Sequence, residues 1–444
     1  MAWPLLLSRT PLATMAMLLP FLSPSLSCRR SRCCYSQQSV RTGDRDQGPG
    51  RWKLLLDREW LLPDPATKLK EVYLEEEPRA GKRSETLSFY VIRDDLLHPI
   101  MGGNKLRKLD AIIPFFQGHG ITDVVTCGGC QSAHTAAVAV ACAEHGMRAH
   151  LLLRGERPVI PTGYNLVAGM YGQVTYIPRS EYSERKSMLQ HHAVRISDAN
   201  SASVVWLHSP ELCAELPIPD SQPTVPDMRV ASGDLYKNSG PRKIAILNEG
   251  AGESFALLGL IRLVNYLSQP SCFGKEGILR IVVDCGTGTT AVGLALGIVL
   301  FGLHWQVVGV MLADNCEGYK RHAESLLSEF RQQSVPKELY CDFPCQGDDL
   351  PIIWRERCRP RKFGKIYAGE IGACQHIAQS SGILLDPIYT LAGWEVAQEL
   401  CCEEESKDGG KVALLHTGGT LGLFGLAQRF PHHFDMLERM LSHQ

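Results

Sequence analysis

Short runs of β-branched and aliphatic residues alternate with helical patterns along most of this chain, and glycine-containing loops separate them. The run at 123–126 leads through a Gly-Gly loop into an alanine-rich helix at 135–145, and the run at 278–283 leads into a long apolar helix. Six further runs have the composition of strands: 87–92, 148–153, 174–177, 243–247, 307–312 and 412–415. Strand–loop–helix alternation is typical of parallel sheets with flanking helices. The sequence therefore predicts an α/β protein, and 444 residues suffice for two or three domains.

The overall composition is that of a soluble globular protein, with 44% hydrophobic and 21% charged residues. The net charge is −1 at pH 7, so we expect neither nucleic acid nor a membrane as a partner. The sixteen cysteines show no repeating spacing, which in a long chain indicates reduced thiols rather than a disulfide framework. Residues 285–303 carry no charge, but their five glycines and three threonines favour a buried helix after a glycine-rich turn over a membrane span.

The N-terminus has the composition of a targeting segment. Residues 1–43 contain five arginines, seven serines and no acidic residue, a combination that is typical of organelle transit peptides. A secretory signal built on residues 11–22 is the alternative, but Pro20 interrupts its apolar run and the basic cluster follows the run. We therefore predict that residues 1–52 are a transit peptide and linker. We expect import into the mitochondrion, with the plastid as the alternative.

One lysine stands at a glycine-rich junction between a loop and a helix. The motif Gly102-Gly103-Asn104-Lys105 precedes a helical pattern of apolar residues at i, i+3 and i+4 spacing. Glycines let the backbone adopt unusual angles and approach a ligand closely. Because lysine amines form Schiff bases with carbonyl compounds, Lys105 is a candidate for binding pyridoxal 5'-phosphate (PLP). A solvated surface charge is the alternative reading of Lys105.

A second glycine-rich loop has the composition of a phosphate site. The threonine loop, Gly286-Thr287-Gly288-Thr289-Thr290, lies between the strand at 278–283 and the apolar helix. Its backbone N–H groups and the dipole of the following helix favour an anion, and three hydroxyls add hydrogen bonds. The loop also fits the dinucleotide pattern G-x-G-x-x-A, and a turn needed only for packing is a further alternative. We favour a monophosphate.

The loop before the alanine-rich helix offers a site for a carboxylate. Exposed N–H groups at a helix start suit the carboxylate of an amino acid, and Ser132 could be a ligand or a helix cap. The same loop contains Cys127 and Cys130 in a C-x-x-C pattern. A zinc site would need a second pair, and a thioredoxin-like site lacks its usual setting, so we predict no metal.

A proline turn with the sequence Asp386-Pro387-Ile388-Tyr389-Thr390 is expected to end a strand and precede a helix. A tyrosine at such a turn could act as an acid or base on a substrate. Thr390 could cap the helix or contact a ring nitrogen. A half-buried aromatic side chain with a satisfied hydroxyl is the alternative for Tyr389.

Five motifs together resemble one enzyme family. They are Arg93-Asp94-Asp95-Leu96, Gly102-Gly103-Asn104-Lys105, Gly128-Gly129-x-Gln131-Ser132-x-His134, the threonine loop and Asp386-Pro387-x-Tyr389-Thr390. From about residue 76 onwards the chain resembles the D-cysteine desulfhydrase / 1-aminocyclopropane-1-carboxylate deaminase family, which are PLP enzymes of the tryptophan synthase β type. The resemblance implies a two-domain PLP fold of type II, with parallel sheets, flanking helices and the cofactor in the cleft between the domains.

The resemblance also implies a role for each motif. Lys105 would bind the cofactor aldehyde and act as the base at Cα, and the threonine loop would hold the cofactor phosphate. Ser132 would face the substrate carboxylate and amine, Tyr389 would flank the substrate, and Thr390 would contact the pyridine nitrogen. Deaminases of the family carry glutamate at position 390. A neutral hydroxyl there suits elimination of a good leaving group such as thiolate.

Two positions depart from the family pattern. Ala133 replaces an asparagine that holds the phenolic oxygen of the cofactor, and His134 or a water is a candidate substitute. A second active-site tyrosine of the family falls on Phe363 by a count without gaps, and Tyr367 lies four residues further on. Both departures bear on the substrate and the rate.

The implied activity is α,β-elimination of D-cysteine to pyruvate, hydrogen sulfide and ammonia, by a homodimer that acts on a small amino acid. We expect a larger PLP-binding domain at residues 53–109 and 240–444, and a smaller α/β domain at 110–239 with an insertion at 197–239. The alternatives are a deaminase of the cyclopropane amino acid or another D-amino-acid lyase, a PLP-binding protein without turnover, and a nicotinamide oxidoreductase that uses residues 286–291.

Overall fold

Two sheets organise the part of the chain that the structure describes. The structure is a computed structural model, and it describes residues 49–74, 87–197, 203–207, 242–344, 346–403, 410–435 and 437. The predicted transit peptide before residue 49 lies outside the described residues, as does the predicted insertion apart from residues 197 and 203–207. The described residues fall in one compact unit, Gly48–Gln444.

Eleven strands are present in the described residues. They are β1 (Leu69–Tyr73), β2 (Ser88–Ile92), β3 (Asp123–Gly129), β4 (Arg148–Arg154), β5 (Gln173–Ile177), β6 (Ser203–Trp206), β7 (Lys243–Ile246), β8 (Leu279–Cys285), β9 (Trp305–Met311), β10 (Ile352–Glu356) and β11 (Lys411–Leu415). The larger sheet has the order β1-β2-β11-β8-β9-β10, and the smaller sheet has the order β5-β4-β3-β7-β6. Every pair is parallel except β1–β2. The predicted α/β class with parallel sheets is confirmed.

Eleven α-helices connect these strands in the described residues. They are α1 (Asn104–Gly118), α2 (Ala133–Glu144), α3 (Gly163–Tyr171), α4 (Arg179–Tyr182), α5 (Arg185–Ile196), α6 (Leu257–Leu267), α7 (Thr289–Leu300), α8 (Cys316–Ser334), α9 (Glu370–Ser381), α10 (Thr390–Cys402) and α11 (Gly422–Arg429). The uncharged segment at 285–303 contains α7, a buried helix after a glycine-rich turn, as predicted. Among the described residues, no helix combines the length and apolar character needed to span a bilayer.

The core places α7 against α6 through two glycines. A Cβ on Gly293 would lie 2.7 Å from Leu260 Cβ, and a Cβ on Gly297 would lie 2.9 Å from Val264 Cβ. Because larger side chains would separate the helices, this spacing of small residues fixes their close approach. Helix α7 follows β8 directly, so the packing also fixes the position of the threonine loop at its start.

The predicted strand before Asp386 is wrong. Residues 382–386 lie in no strand, and the carbonyl of Leu384 interacts with Nε2 of His416 at 3.0 Å. Ile383 and Leu385 are buried while Leu384 is 47% exposed. This apolar run is therefore buried on one side and pairs with no strand among the described residues.

The strand pairing bears on the predicted domain bounds. Strand β7 pairs with β3 and β6 in the smaller sheet, although those bounds assign residues 243–246 to the larger domain. The bound at residue 109 falls inside α1. Strands β1, β6 and β10 were not predicted, whereas the eight predicted runs at 87–92, 123–126, 148–153, 174–177, 243–247, 278–283, 307–312 and 412–415 all contain strands.

Candidate active site

Lys105 lies at the start of α1, where two glycines bring the chain close to the end of β11. Gly103 has φ 97° and ψ −163°, and a Cβ there would overlap the carbonyl of Thr417. The N–H of Asn104 donates to that carbonyl at 3.3 Å. Only glycine adopts this backbone without strain, so the Gly-Gly pair positions Lys105. Burial lowers the pKa of Lys105, and the negative charge of Asp284 acts in the opposite direction.

The threonine loop lies next to Lys105. Nδ2 of Asn104 donates to Oγ1 of Thr290 at 3.0 Å, so the residue before Lys105 contacts the loop directly. Gly288 is the N-cap of α7 and has φ 83°. The Tyr319 ring packs against it, and a Cβ on Gly288 would lie only 2.7 Å from that ring. No side chain caps this helix start. The first N–H groups of α7 are therefore available to bind a group that carries negative charge.

Lys108 adds a positive charge to the threonine loop, and the sequence analysis did not identify it. Its Nζ donates to the carbonyl of Gly250 at 3.0 Å and to Oγ1 of Thr287 at 3.5 Å, and its side chain is buried. Burial and the nearby charge of Lys105 lower its pKa well below the ordinary value. Neither of these partners is a carboxylate, and a buried ammonium group is costly without an anion. A lysine three residues after Lys105, on the same helix face, was the available signal.

The remaining contacts of the loop are neutral. Oγ1 of Thr287 and Oγ1 of Thr289 are 3.0 Å apart, and Oγ1 of Thr289 is 3.3 Å from Nε2 of His322. Burial lowers the pKa of His322 to about 4, and Lys108 acts in the same direction. At neutral pH the loop therefore presents hydroxyls, backbone N–H groups and the Lys108 amine. This donor set fits a phosphate group.

Ser132 caps α2, as one of the two readings predicted. Its Oγ accepts a hydrogen bond from the N–H of Thr135 at 3.2 Å. A hydroxyl that accepts one bond keeps its own proton as a donor, so this cap is compatible with ligand binding. The predicted contact of Ser132 with a substrate carboxylate stays a prediction.

His134 is buried beside the two lysines. Its Nε2 is 2.9 Å from Oγ1 of Thr126, and its buried Nδ1 has no hydrogen-bond partner among the described residues. Burial and the charges of Lys105 and Lys108 lower its pKa well below the ordinary value. His134 is therefore neutral and already held in place, next to Ala133 where the family pattern has asparagine.

Asp386 organises the proline turn that carries Tyr389 and Thr390. Its Oδ1 accepts from the N–H groups of Ile388 and Tyr389, both at 2.9 Å, and its Oδ2 accepts from Thr390 Oγ1 at 2.9 Å. Thr390 is fully buried and also accepts from the N–H of Asp386 at 2.8 Å. The predicted contact of Thr390 with a pyridine nitrogen stays a prediction. Burial and Asp386 raise the pKa of Tyr389, so its hydroxyl stays protonated.

Neither Phe363 nor Tyr367, the two candidates for the second family tyrosine, brings a hydroxyl to Tyr389. The Phe363 ring lies 5.5 Å from the Tyr389 ring, measured between centroids, at an interplanar angle of 72°. Tyr367 is held elsewhere, because its hydroxyl donates to the carbonyl of Pro360 at 3.2 Å and Arg361 stacks over its ring at 4.5 Å. The position next to Tyr389 is therefore apolar.

Two further polar residues of the site were missed by the sequence analysis. Asp284 is buried at the end of β8, and its Oδ1 accepts from Thr417 Oγ1 at 2.6 Å. Burial raises the pKa of Asp284 to about 7, although the hydrogen bond from Thr417 acts to lower it. Tyr164 of α3 is buried against the loop after β11. Neither lies in a recognisable motif, so only the packing of the two sheets brings them to Lys105 and Asp386.

The described residues contain no group of three or more side chains suited to bind a metal ion. Cys127 and Cys130 are free thiols. Burial raises the pKa of Cys127 to about 12, so this thiol is unreactive at neutral pH.

Known proteins were compared with the chain by sequence and by structure. No protein-family model matches. A protein of Oryza sativa subsp. japonica named "Putative D-cysteine desulfhydrase 2, mitochondrial" is 46% identical over 410 residues, which cover 87% of this chain and 96% of the rice protein. A protein of Thermotoga maritima named "Putative 1-aminocyclopropane-1-carboxylate deaminase" is 25% identical over 377 residues, which cover 83% of this chain and 97% of the Thermotoga protein.

The fold is similar to that of a crystal structure described as an ACC deaminase homologue. The TM-score is 0.63 at 22% identity, over 87% of this chain and 100% of the other. The likeness shows a shared fold, the type II fold of PLP enzymes. Identity of 46% across almost the whole of the rice protein shows the family directly. This chain therefore belongs to the D-cysteine desulfhydrase / 1-aminocyclopropane-1-carboxylate deaminase family.

Proposed function

We propose that the chain is a PLP-dependent lyase that converts D-cysteine and water to pyruvate, hydrogen sulfide and ammonia. One observation carries the proposal: the Asn104–Thr290 hydrogen bond joins the helix start that bears Lys105 to the threonine loop. PLP needs an amine for its aldehyde and a nearby loop for its phosphate, and this contact brings two such segments together. The name of the rice relative supports D-cysteine as the substrate.

The donor set around the threonine loop would hold the cofactor. The loop and Lys108 would bind the phosphate, and Lys105 would bind the aldehyde carbon. When bound, PLP withdraws electrons from the Cα of an amino acid and makes its proton acidic. The amine of Lys105, whose pKa is lowered, can hold that proton. The start of α2 and Ser132 would orient the substrate carboxylate.

The surroundings of the leaving group favour elimination over ring opening. The Cβ–S bond breaks with its electron pair on sulfur, and water completes the product outside this step. Thr390 would present a neutral hydroxyl to the pyridine nitrogen in place of the glutamate of the deaminases, and a hydroxyl stabilises a protonated ring less than a carboxylate does. Thiolate leaves without such help. The cyclopropane substrate has no comparable leaving group, although the Thermotoga relative and the crystal structure carry the deaminase name.

The test uses purified protein without residues 1–47, reconstituted with PLP, because Trp52 is buried in the core and must be kept. We expect a visible absorption band and sulfide release from D-cysteine that exceeds release from L-cysteine. Lys105→Ala should lose both the band and the sulfide. Release of 2-oxobutanoate from 1-aminocyclopropane-1-carboxylate without sulfide from cysteine would establish the deaminase instead. A band without any product from D-amino acids would establish a binding protein.

We also propose that the protein acts in the mitochondrion as a homodimer. The arginine-rich, acid-free N-terminus and the name of the rice relative support the location. A fluorescent protein fused to residues 1–52 should enter mitochondria, and entry into plastids would contradict the location. Sedimentation equilibrium of the mature protein should give twice the chain mass, and a monomer mass would contradict the dimer.

A further inference from the structure

The side chain of Gln131 is held at both ends, directly beside Ser132. Its Nε2 donates to the carbonyl of Thr162 at 3.0 Å, and its Oε1 accepts from the N–H of Tyr164 at 3.1 Å. Both partners are backbone groups at the start of α3, so the Gln131 amide ties the loop before α2 to that helix. Because Ser132 is the next residue and caps α2, these two bonds also fix where Ser132 lies.

Helix α11 packs over this amide. A Cβ on Gly425 would lie 2.2 Å from Cδ of Gln131 and 2.5 Å from its Nε2, so the backbone of α11 is in direct contact with the Gln131 side chain. Gln428, further along α11, donates from Nε2 to the carbonyl of Ile160 at 2.7 Å and accepts from Oγ1 of Thr162 at 3.1 Å. Helix α11 therefore holds Gln131 against the start of α3.

The same C-terminal segment positions Lys105. The loop between β11 and α11 supplies the Thr417 carbonyl, which accepts from the N–H of the residue before Lys105. A Cβ on Gly418 would overlap the carbonyl of Gly102, so this loop also packs tightly on the glycine pair. Only three residues separate Gly418 from the start of α11. One short segment therefore holds both the helix start that bears Lys105 and the loop before α2.

We propose that Gln131 is a positioning residue: it fixes the loop before α2 in the conformation that binds the substrate carboxylate, and α11 holds it there. The inference rests on the proposed function. Backbone N–H groups and the Ser132 hydroxyl bind a carboxylate tightly only if they are already held in one geometry. Both ends of the Gln131 amide are bound by the start of α3, so the residue acts through the loop and not on the substrate.

The test measures binding of D-alanine and of D-alaninamide to the PLP-loaded enzyme, followed by the change in the visible band. D-Alanine has the carboxylate but no leaving group, and D-alaninamide lacks the carboxylate charge. Gln131→Met keeps the length of the side chain but loses both hydrogen bonds, so the Kd for D-alanine should rise roughly 5- to 30-fold. The Kd for D-alaninamide should change less than about threefold. For D-cysteine, KM should rise while kcat changes less than about threefold, because the carboxylate is bound equally before and during the reaction.

Gly425→Ala tests the role of α11 without altering Gln131. The added methyl group overlaps the end of the flexible Gln131 side chain, so α11 can accept the alanine while Gln131 is displaced. The Kd for D-alanine should therefore rise as in Gln131→Met. Gly422→Ala is the matched control on the same helix, because a Cβ there would lie 3.7 Å from the Tyr164 ring, an ordinary contact. It should bind both ligands like the parent.

Circular dichroism and the Kd for PLP should stay those of the parent in all three variants. If Gln131→Met does not fold, Gly425→Ala decides. An unchanged Kd for D-alanine in a folded variant of either kind contradicts the inference, as does an equal loss for D-alaninamide, which would mark a general disturbance of the site. With a parent that releases sulfide from D-cysteine, these results leave the proposed function standing. A parent that releases no sulfide contradicts the proposed function and this inference with it.

Discussion

Replacing Lys108 by methionine tests whether Lys108 binds the cofactor phosphate or only stabilises the fold. The Lys108 side chain is 1% exposed, and its pKa is lowered mainly by burial. In the apoprotein, methionine removes a buried amine, whose burial is unfavourable, and loses its hydrogen bonds to Gly250 and Thr287, so the free energy of unfolding should stay within about 1 kcal/mol or rise. In the holoenzyme it removes a charge-assisted hydrogen bond to the phosphate of about 1.5–3 kcal/mol. At 1.4 kcal/mol per tenfold, the Kd for PLP should rise roughly 10- to 150-fold.

The assay is a titration of apoprotein with PLP, followed by visible absorbance, together with urea unfolding of the apoprotein. Lys320→Met is the control, because Lys320 is exposed and pairs with Asp348 at 2.9 Å, so both quantities should stay near those of the parent. The reasoning is refuted if Lys108→Met binds PLP as tightly as the parent. It is also refuted if the apoprotein loses more than about 2 kcal/mol, which would mark a structural role.

Three further predictions concern single residues. Lys105→Ala should abolish sulfide release while urea unfolding of the apoprotein changes by less than about 1 kcal/mol, and retained turnover would exclude Lys105 as the base. The raised pKa of Asp284, about 7, means that its contribution to stability is full below the unfolded value of 3.8 and is lost as pH rises through 7. Asp284→Asn apoprotein should therefore lose less stability than the parent between pH 5 and pH 8, and equal losses would show an unperturbed carboxyl. Gly103→Ala should destabilise by about 3 kcal/mol in urea, because φ is 97° and a Cβ overlaps Thr417, whereas Gly118→Ala in open space should stabilise slightly.

The sequence predicted those parts of the site that lie within local motifs. Strand β8, the threonine loop and α7 follow each other directly, so glycines and hydroxyls between an apolar run and a helix were sufficient evidence. The same holds for the Gly-Gly-Asn-Lys motif before α1. The Asn104–Thr290 contact joins these two motifs, which a sequence alone cannot bring together.

The residues that sequence reasoning missed depend on long-range packing. Tyr164 lies beside the loop after β11 only because Gly163 lets α3 approach Leu421 closely, and Asp284 is significant only because it is buried against Thr417. The apolar run before Asp386 predicted a strand, but such a run can be buried without pairing in a sheet. Strand β7 looks like any buried parallel strand, so its sheet could not be assigned before its partners were known.

The central claim is that Lys105 binds the PLP aldehyde while the threonine loop holds the phosphate. Borohydride reduction of the holoenzyme, followed by digestion and mass spectrometry, tests it most directly, because reduction fixes the cofactor to the lysine that holds it. Lys105 and Lys108 are only three residues apart, so fragment ions must separate them. The account predicts a pyridoxyl group on Lys105 alone. A pyridoxyl group on Lys108, or a protein that is not labelled at all, would contradict it.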